Sequence, residues 1–466
     1  MPIDEDVAAA EPSAPPRGIL DPRLRPLTVA IVSITLLIAF EATAIGTAMP
    51  TAVRSLHGLG FYALVFSGFL TASMLGMVVS GVQCDRSGPA GPLLFGIGLF
   101  GAGLLAAGLA PHMLVLVAGR AIQGLGAGVI IVAEYVLIAN AYPESLRARA
   151  LAAISAGWVL PSVAGPPLSG VITQLASWRW VFLAVGVLTV PPSLLIIREL
   201  RRRSVTPPAR DPSSPRPRFW QPRLLLALGL AVGAALFQYA GNDPSLASLV
   251  LAPIALVLMG LMAPRLLPGT FTARRGLPTV VLLRGLVSGA FAGAESFVPL
   301  MLVDVRHLPP ILAGLPLTAA AISWTLGSYA QSRPDNPLSR PRLVQIGGIC
   351  IAAGIGIVIV SVWADPAALF AAGGWFVGGF GMGLAIPSLT ILAMRSPRSI
   401  GAASSSLQLC DSLGAVMCIG VGGTLFATLH ALPSVGFAVF PLIYGLMVLV
   451  AFGPIILAPR AHAKIC

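Results

Sequence analysis

The chain has 466 residues, of which 56% are hydrophobic and only 10% are charged, and its mean hydropathy is +0.89. Lys and Arg outnumber Asp and Glu by 29 to 17, giving a net charge of +12. No basic stripe with interleaved aromatic residues accompanies this charge, which argues against nucleic-acid binding. A sequence this apolar is typical of a polytopic membrane protein.

Fourteen apolar stretches are each long enough to cross a bilayer, because a spanning helix needs about 20 apolar residues. Backbone polar groups in lipid must be satisfied internally, and runs this long satisfy them as helices. The predicted helices cover residues 27–50, 62–82, 92–110, 112–137, 150–174, 179–197, 224–240, 247–263, 278–303, 310–330, 343–362, 367–392, 402–428 and 434–457. The sequence therefore predicts an all-α chain arranged as six helices, then two, then six.

The basic residues predict the orientation. With a cytoplasmic N-terminus and alternating helices, 24 of the 29 Lys and Arg residues fall in cytoplasmic segments. The others are Arg54, Arg179 and Arg306 outside, and Arg120 and Arg284 within helices. The positive-inside rule therefore places both termini in the cytoplasm, with the basic loops against the anionic lipids of the plasma membrane's inner leaflet.

The longest hydrophilic segment, residues 198–223, contains eight arginines and six prolines. This composition precludes a packed core and predicts a linker. Two flanking six-helix blocks with one orientation are what parallel repeats about the membrane normal produce. The predicted segments are a disordered cytoplasmic tail (1–25), a six-helix bundle (26–197), the basic cytoplasmic linker (198–223), two extra transmembrane helices and a loop (224–277), a second six-helix bundle (278–458) and a cytoplasmic tail (459–466).

Glu41 lies near the middle of the first predicted helix. An ionised carboxylate there costs about 2.5–3.5 kcal/mol, so the neutral form is favoured unless a partner is near. A carboxyl group in this position can load and release a proton as its access alternates between the two sides. The alternative is a permanently protonated, hydrogen-bonded structural residue.

Arg120 lies about two turns inside the outer end of the fourth predicted helix, and it does not readily lose its proton. It must therefore face a carboxylate, a carbonyl or water. A cation near Glu41 would favour the ionised carboxylate and make its protonation depend on conformation. The alternative is an arginine that braces two helices through backbone carbonyls.

Other charged residues also fall within predicted helices. Glu295 is the positional counterpart of Glu41 in the second block, and Asp411 lies inside its fifth helix. Both are candidate proton, cation or substrate groups, with snorkelling or helix capping as the alternative. Glu134 and Arg284 lie nearer the cytoplasmic ends of their helices, where snorkelling is expected.

The fifth predicted helix contains several glycine and proline residues. Gly157, Pro161 and Gly165 recur every four residues and so share one face, with Gly170 further along. Small residues let helices approach closely, while Pro161 and Pro166 free backbone carbonyls and kink the helix. A kinked, close-packed helix at the interface of the two bundles suits rocking between two packings.

The loop after the second helix carries Asp85, Arg86 and Gly88. Gly88 permits a tight turn, and Asp85 can pair with helix termini or arginines on the cytoplasmic face. The alternative is an ordinary cytoplasmic turn.

Four segments together resemble one family. These segments are F-E-A-T-A-I-G-T-A-M-P (40–50), G-V-Q-C-D-R-S-G-P-A (81–90), L-V-A-G-R-A-I-Q-G-L-G-A-G (116–128) and G-W-V-L-P-S-V-A-G-P-P-L-S-G (157–170). They are similar to motifs of the major facilitator superfamily, in its 14-helix drug:proton antiporter branch. The resemblance covers residues 25–458. It implies the major facilitator fold, with two six-helix bundles and two intercalated helices. It also implies proton coupling through Glu41 and Arg120, a cytoplasmic latch for the outward-facing state at Asp85, and export as the direction of transport.

The resemblance implies a proton-coupled antiporter that exports lipophilic or amphipathic small molecules by alternating access. The expected partners are those substrates, protons and membrane lipids; the expected form is a monomer without cofactor or metal ion. Export of a lipid or natural product, or nutrient uptake by symport, is the alternative within this fold. Symport predicts a more polar cavity, whereas Asn and Lys are nearly absent from the predicted helices.

Two other classes of function, a membrane enzyme and a sensor or scaffold, would require different residues. A membrane enzyme would need a nucleophile–base pair or a metal cluster, but the five histidines are dispersed at helix ends and loops, so no enzyme is expected. A sensor or scaffold would not need acids inside the membrane.

Overall fold

A computed structural model of the chain describes residues 18–203, 222–242, 246–333, 337–394, 400–430 and 436–461. Within those ranges the regular secondary structure is helical. The predicted N-terminal tail up to residue 17, linker residues 204–221 and C-terminal residues 462–466 lie outside the described residues.

The first half forms six helices. They are α1 (Arg25–Ser55), α2 (Tyr62–Ser87), α3 (Ala90–Gly108), α4 (Met113–Ala141), α5 (Glu144–Leu175) and α6 (Arg179–Arg203). Helix α6 continues six residues past the predicted start of the linker, because the sequence there, R-E-L-R-R-R, consists of good helix formers. Helices α7 (Pro222–Asn242) and α8 (Leu246–Leu266) follow.

The second half completes the bundle. Its helices are α9 (Leu277–Glu295), α10 (Val298–Asp304), α11 (Pro310–Ala313), α12 (Leu315–Ser332), α13 (Arg340–Ser361), α14 (Ala367–Met394), α15 (Ile400–Leu429) and α16 (Val439–Leu457). Twelve helical segments in the described residues are long and apolar enough to cross a membrane, and shorter apolar helices cover Leu225–Gly241 and Val250–Leu266. This pattern agrees with the predicted six, two and six.

The helix predicted over 278–303 is interrupted between α9 and α10. Pro299 has no N–H, so the carbonyl of Glu295 loses the donor that a continuous helix would supply four residues later. The Phe297 N–H bonds the Ala294 carbonyl, three residues back, which tightens the chain at this point. Gly314 marks a similar junction between α11 and α12.

Helix α7 packs against α8, α2 and α15, and so the pair intercalates between the halves. The Gln238 side chain on α7 donates from Nε2 to Thr71 Oγ1 on α2 at 3.2 Å. The same side chain lies against Gly420 on α15. The extra pair therefore contacts both six-helix bundles.

We call the end of the bundle where α1 begins the basic end, because Arg25, Arg86, Arg147 and Arg149 lie exposed there. The other is the opposite end.

Hydrogen bonds join the two halves toward the opposite end. Arg54, at the end of α1, donates from Nη2 to Asp304 Oδ1 at 2.5 Å, at the end of α10. Tyr62, at the start of α2, donates its hydroxyl to the Ser296 carbonyl at 2.5 Å. The second of these contacts lies directly at the break between α9 and α10.

A proline in α5 makes a third link. Pro167 has no N–H, which leaves the Val163 carbonyl without its helix donor. Thr318 on α12 donates its hydroxyl toward that carbonyl at 3.4 Å. Gly170, further toward the opposite end, lies directly against Ile311 on α11.

Candidate proton-coupling site

Glu41 lies in the interior of the first half. It follows the start of α1 by sixteen residues, about 24 Å along the helix axis, and has no exposed surface. The apolar residues around it make α1 continuous through this point, so the carboxyl group is held at mid-depth. In this conformation Glu41 is enclosed by protein.

Arg120 on α4 pairs with Glu41. Its Nη1 donates to Glu41 Oε1 and also to Gln123 Oε1 at 3.0 Å, while its Nε donates to the Val65 carbonyl at 3.3 Å. The guanidinium carbon lies 4.3 Å from the centre of the Phe69 ring. The predicted carboxylate partner and the alternative backbone brace are therefore both present, and one side chain ties α4 to α1 and α2.

The pair is only partly satisfied. Arg120 is 2% exposed, and Glu41 Oε2 and Gln123 Nε2 have no hydrogen-bond partner among the described residues. A buried polar group left unpaired costs about 1–3 kcal/mol. The carboxylate is thus held mainly by one guanidinium, and its role in proton coupling stays a prediction.

Glu295 is placed differently from its counterpart. It ends α9, is partly exposed, and accepts a hydrogen bond from Trp375 Nε1 at 3.4 Å. Phe291 stacks on Trp375 with ring centres 5.2 Å apart, and meets Trp324 edge-on at 6.2 Å. Three aromatic rings from α9, α12 and α14, of which Phe291 and Trp375 are buried, therefore pack together as an apolar wall beside a carboxyl group.

Asp411 pairs with Arg284, and the expectation that Arg284 snorkels is wrong. Arg284 donates from Nε to Asp411 Oδ1 at 2.5 Å, and Ser288 donates its hydroxyl to the same oxygen. Arg284 Nη1 also lies 3.4 Å from both the Ile386 carbonyl and Thr390 Oγ1. The two charged side chains are 15% and 23% exposed. The sequence signal for this pair was the presence of two opposite charges inside predicted helices.

The expectation that Glu134 snorkels is also wrong. Glu134 is 2% exposed and accepts a hydrogen bond at Oε2 from the Thr35 hydroxyl of α1 at 2.9 Å. Its face of α4, shared with Arg120, turns toward α1 and not toward the surface. The depth of a residue along a helix does not tell which face of the helix it occupies. The sequence signal for the contact of Glu134 with α1 was Thr35, a polar side chain within an apolar helix.

The loop residues lie at the basic end. Gly88 closes α2 with a positive φ of 80°, and its N–H bonds the Cys84 carbonyl at 2.9 Å. Asp85 and Arg86 are exposed in the last turn of α2. Asp85 forms no ion pair with any described residue, so the predicted latch is not engaged in this conformation.

The glycine and proline residues of α5 contact both halves, so α5 lies at the interface of the two bundles as predicted. Gly157 and Gly165 lie against α1, and the Thr43 hydroxyl donates to the Pro161 carbonyl at 3.0 Å. The contact with the second half comes at the far end, where Gly170 meets α11 and the Pro166 carbonyl lies beside Gly314. The face with Gly157 and Gly165 anchors α1, which carries Glu41.

The three candidate acids and Glu134 do not form one centre. Glu41 and Glu134 lie in the first half, and Glu295 and Asp411 lie in the second, each with its own partner. Among the described residues, no group of three or more His, Cys, Asp and Glu side chains could hold a metal ion. The arrangement is one of separate titratable groups at different depths.

Replacing Arg120 alone should destabilise the fold more than replacing both members of the Glu41–Arg120 pair. We expect Arg120→Gln to lower the free energy of unfolding by about 3–5 kcal/mol, because it leaves a buried carboxylate unpaired. The double variant Glu41→Gln with Arg120→Gln should recover most of that loss. Apparent melting temperatures in detergent measure both, with the exposed Arg149→Gln as the control. Equal melting temperatures for the single and double variants would contradict the pairing.

Comparisons with known proteins give the family. The chain matches the family model of the Major Facilitator Superfamily over residues 31–419. It is 29% identical over 392 residues to a probable multidrug-efflux transporter of Mycobacterium tuberculosis, covering 82% of this chain and 83% of the relative. It is 23% identical to the multidrug efflux pump SdrM of Staphylococcus aureus, covering 87% and 90%.

Solved structures share the fold. A peptide transporter POT in complex with sulfate superposes with a TM-score of 0.69 at 14% identity, covering 96% of this chain and 97% of that one. A D-xylose-proton symporter gives a TM-score of 0.64 at 16% identity, covering 95% and 99%. With two six-helix bundles, two intercalated helices and a family match over most of its length, this chain belongs to the Major Facilitator Superfamily, whose members are transporters and not enzymes.

Proposed function

We propose that this protein is a proton-coupled antiporter that exports lipophilic or amphipathic small molecules across the plasma membrane, as in multidrug efflux. The observation that carries the proposal is the buried pair of Glu41 and Arg120 at mid-depth in the first half. The names of the relatives, several of them multidrug transporters, support the class of substrate. Their names do not favour nutrient uptake or lipid export.

The buried pair supplies a coupling mechanism. With Glu41 ionised, Arg120 holds α1, α2 and α4 together through one carboxylate and one backbone carbonyl. Protonating Glu41 removes the charge that Arg120 neutralises, so the guanidinium needs another acceptor or water. The packing of the first half therefore depends on the proton, which is what alternating access requires.

The orientation follows from charge. We place the basic end in the cytoplasm, with both termini there and the arginine-rich loops at the anionic lipid surface of the inner leaflet. The bonds from Arg54 and Tyr62 to the second half then close the outer side. The unengaged Asp85 fits this state, since a cytoplasmic latch closes only when the transporter faces outward.

Glu295 is the substrate-recognition group in this proposal. Glu295 is partly exposed, and its carboxyl group accepts a hydrogen bond from the buried Trp375, on which the buried Phe291 stacks. A cation gains from a carboxylate and from nearby aromatic rings. Flat apolar walls impose little shape selection. Lipophilic cations therefore fit this site best, and we propose that the transporter acts as a monomer.

Proton exchange supplies the energy for export. Each elementary charge that crosses the membrane is worth about 2.3 kcal/mol per 100 mV. Antiport of protons against a monovalent cation therefore gains from the pH gradient, and from the potential when more than one proton enters per cation.

Glu41→Gln should uncouple the two fluxes. In liposomes with an imposed pH gradient, the wild-type protein should move protons against ethidium or tetraphenylphosphonium and accumulate the cation. The variant cannot release a proton, so it should let ethidium move only down its own gradient. A pH-sensitive dye measures the proton flux, and ethidium fluorescence measures the cation flux. The control is Glu144→Gln, which replaces an exposed acid at the basic end. Wild-type protein that exchanges protons for neither cation would overturn the proposed function.

Glu295→Gln should weaken cation binding specifically. We expect the affinity of the purified protein for ethidium to fall by about ten-fold, roughly 1.4 kcal/mol, since one carboxylate is lost from the site. Binding of the neutral amphiphile Nile red should stay within about two-fold, because the aromatic wall is unchanged. Fluorescence titration measures both. An equal loss for the two probes would assign Glu295 a structural role.

A further inference from the structure

Polar contacts continue from Glu41 toward the basic end along the interface of α1 with α4. Thr35 donates its hydroxyl to Glu134 at 2.9 Å. Nearer the basic end, the Thr28 hydroxyl lies 2.8 Å from the Tyr142 hydroxyl, just past the end of α4. The Thr28 hydroxyl also donates to the Ile19 carbonyl at 2.6 Å, so Tyr142 is the donor in the first contact.

The spacing of these contacts is regular. Thr35 precedes Glu41 by six residues, about 9 Å along α1, and Thr28 precedes Thr35 by seven, about 10 Å. On α4, Arg120 and Glu134 are 14 residues apart, about four turns, and so share one face. Glu134 therefore lies between the buried pair and the basic end, on the face of α4 that already contacts α1.

Glu134 differs from Glu41 in having no cation beside it. Its Oε1 is buried and has no hydrogen-bond partner among the described residues, and its Oε2 has the neutral Thr35 hydroxyl. The Glu41 carboxylate has a guanidinium partner, whereas the hydrogen bond given for the Glu134 carboxyl group comes from one neutral hydroxyl. A proton on Glu134 removes a buried charge that no cation in the described part of the chain neutralises.

The titratable groups on the elements around Glu134 lie at the periphery or belong to other contacts. Helix α3 contributes none, and Cys84 on α2 is buried beside Ser80. The remaining groups are exposed or have the partners described for them: Arg25, Glu41 and Arg54 on α1, Tyr62, Asp85 and Arg86 on α2, Arg120 and Tyr135 on α4, Tyr142 after it, and Glu144, Arg147 and Arg149 on α5.

We propose that Glu134 is a second proton-carrying group, which passes the proton between Glu41 and the basic end during antiport. This inference rests on the proposed function. When water enters between α1 and α4, the O–H bond of protonated Glu41 breaks, and an O–H bond forms on the Glu134 carboxylate through intervening water. Glu41 returns to Arg120 as a carboxylate. The Glu134 O–H bond then breaks, and its proton leaves to water at the basic end near Thr28 and Tyr142.

A relay affects the rate of proton movement and leaves the coupling unchanged. Glu134→Gln should slow ethidium accumulation driven by a pH gradient by about ten-fold or more, because the intermediate acceptor is gone. The final accumulation should still reach the wild-type level, which distinguishes this variant from Glu41→Gln. Exchange of labelled for unlabelled ethidium without a gradient needs no proton release, and it should keep the wild-type rate.

Two further variants separate the relay from a structural brace. Glutamine at position 134 can still accept the Thr35 hydroxyl, whereas Thr35→Val removes that bond and leaves the acid in place. A brace alone predicts normal transport for Glu134→Gln, and a lower melting temperature with slower exchange for Thr35→Val. Glu134→Asp, which restores a carboxyl group, should recover part of the rate, and Glu144→Gln should behave as wild type.

The outcomes are distinct from those of the proposed function. If the wild-type protein exchanges protons for ethidium and Glu134→Gln does so at the same rate, the relay is wrong and the antiport remains. A Glu134→Gln variant that slows both the driven flux and the ethidium–ethidium exchange equally would also overturn the relay. If the wild-type protein moves no protons, the proposed function fails first.

Discussion

A guanidinium and a carboxylate enclosed by protein at mid-depth in a membrane can remain charged only as partners. Arg120 and Glu41 meet this constraint, and the remaining hydrogen bonds of Arg120 go to Val65 and Gln123. The packing of α1, α2 and α4 is consequently built around one ionised carboxylate. Any event that neutralises Glu41 leaves the guanidinium with too few acceptors, so the proton and the packing of the first half cannot change independently.

The two halves use charge differently, although both have six helices. In the first half the ion pair is fully buried, and the α5 face with Gly157 and Gly165 holds α1 in place behind it. In the second half Arg284 and Asp411 are partly exposed nearer the basic end, and Glu295 stands beside aromatic rings at the break in α9. We infer that the first half carries proton coupling and that the second half presents the substrate site. Tyr62, which bonds the carbonyl next to Glu295, connects them.

The helices could be predicted from the sequence because the length and apolarity of each run are local properties. The need of Arg120 for an acceptor, and of Glu41 for a cation, likewise led to the partners that the structure shows. Predictions that depended on which way a side chain points from its helix were wrong. Arg284 and Glu134 were expected to reach the surface because of their depth, but their partners come from helices distant in sequence, and no local pattern reveals which face meets them. The break after α9 has a local cause in Pro299, which apolarity alone conceals.

The central claim is that Glu41 gains and loses a proton as substrate binds. Infrared difference spectroscopy of the protonated-carboxyl band measures this directly, in wild-type protein and in Glu41→Gln, on addition of ethidium at constant pH. The account predicts a carboxyl signal in the wild-type difference spectrum that is absent from the variant. An identical signal in both proteins, or none in the wild type, would contradict it.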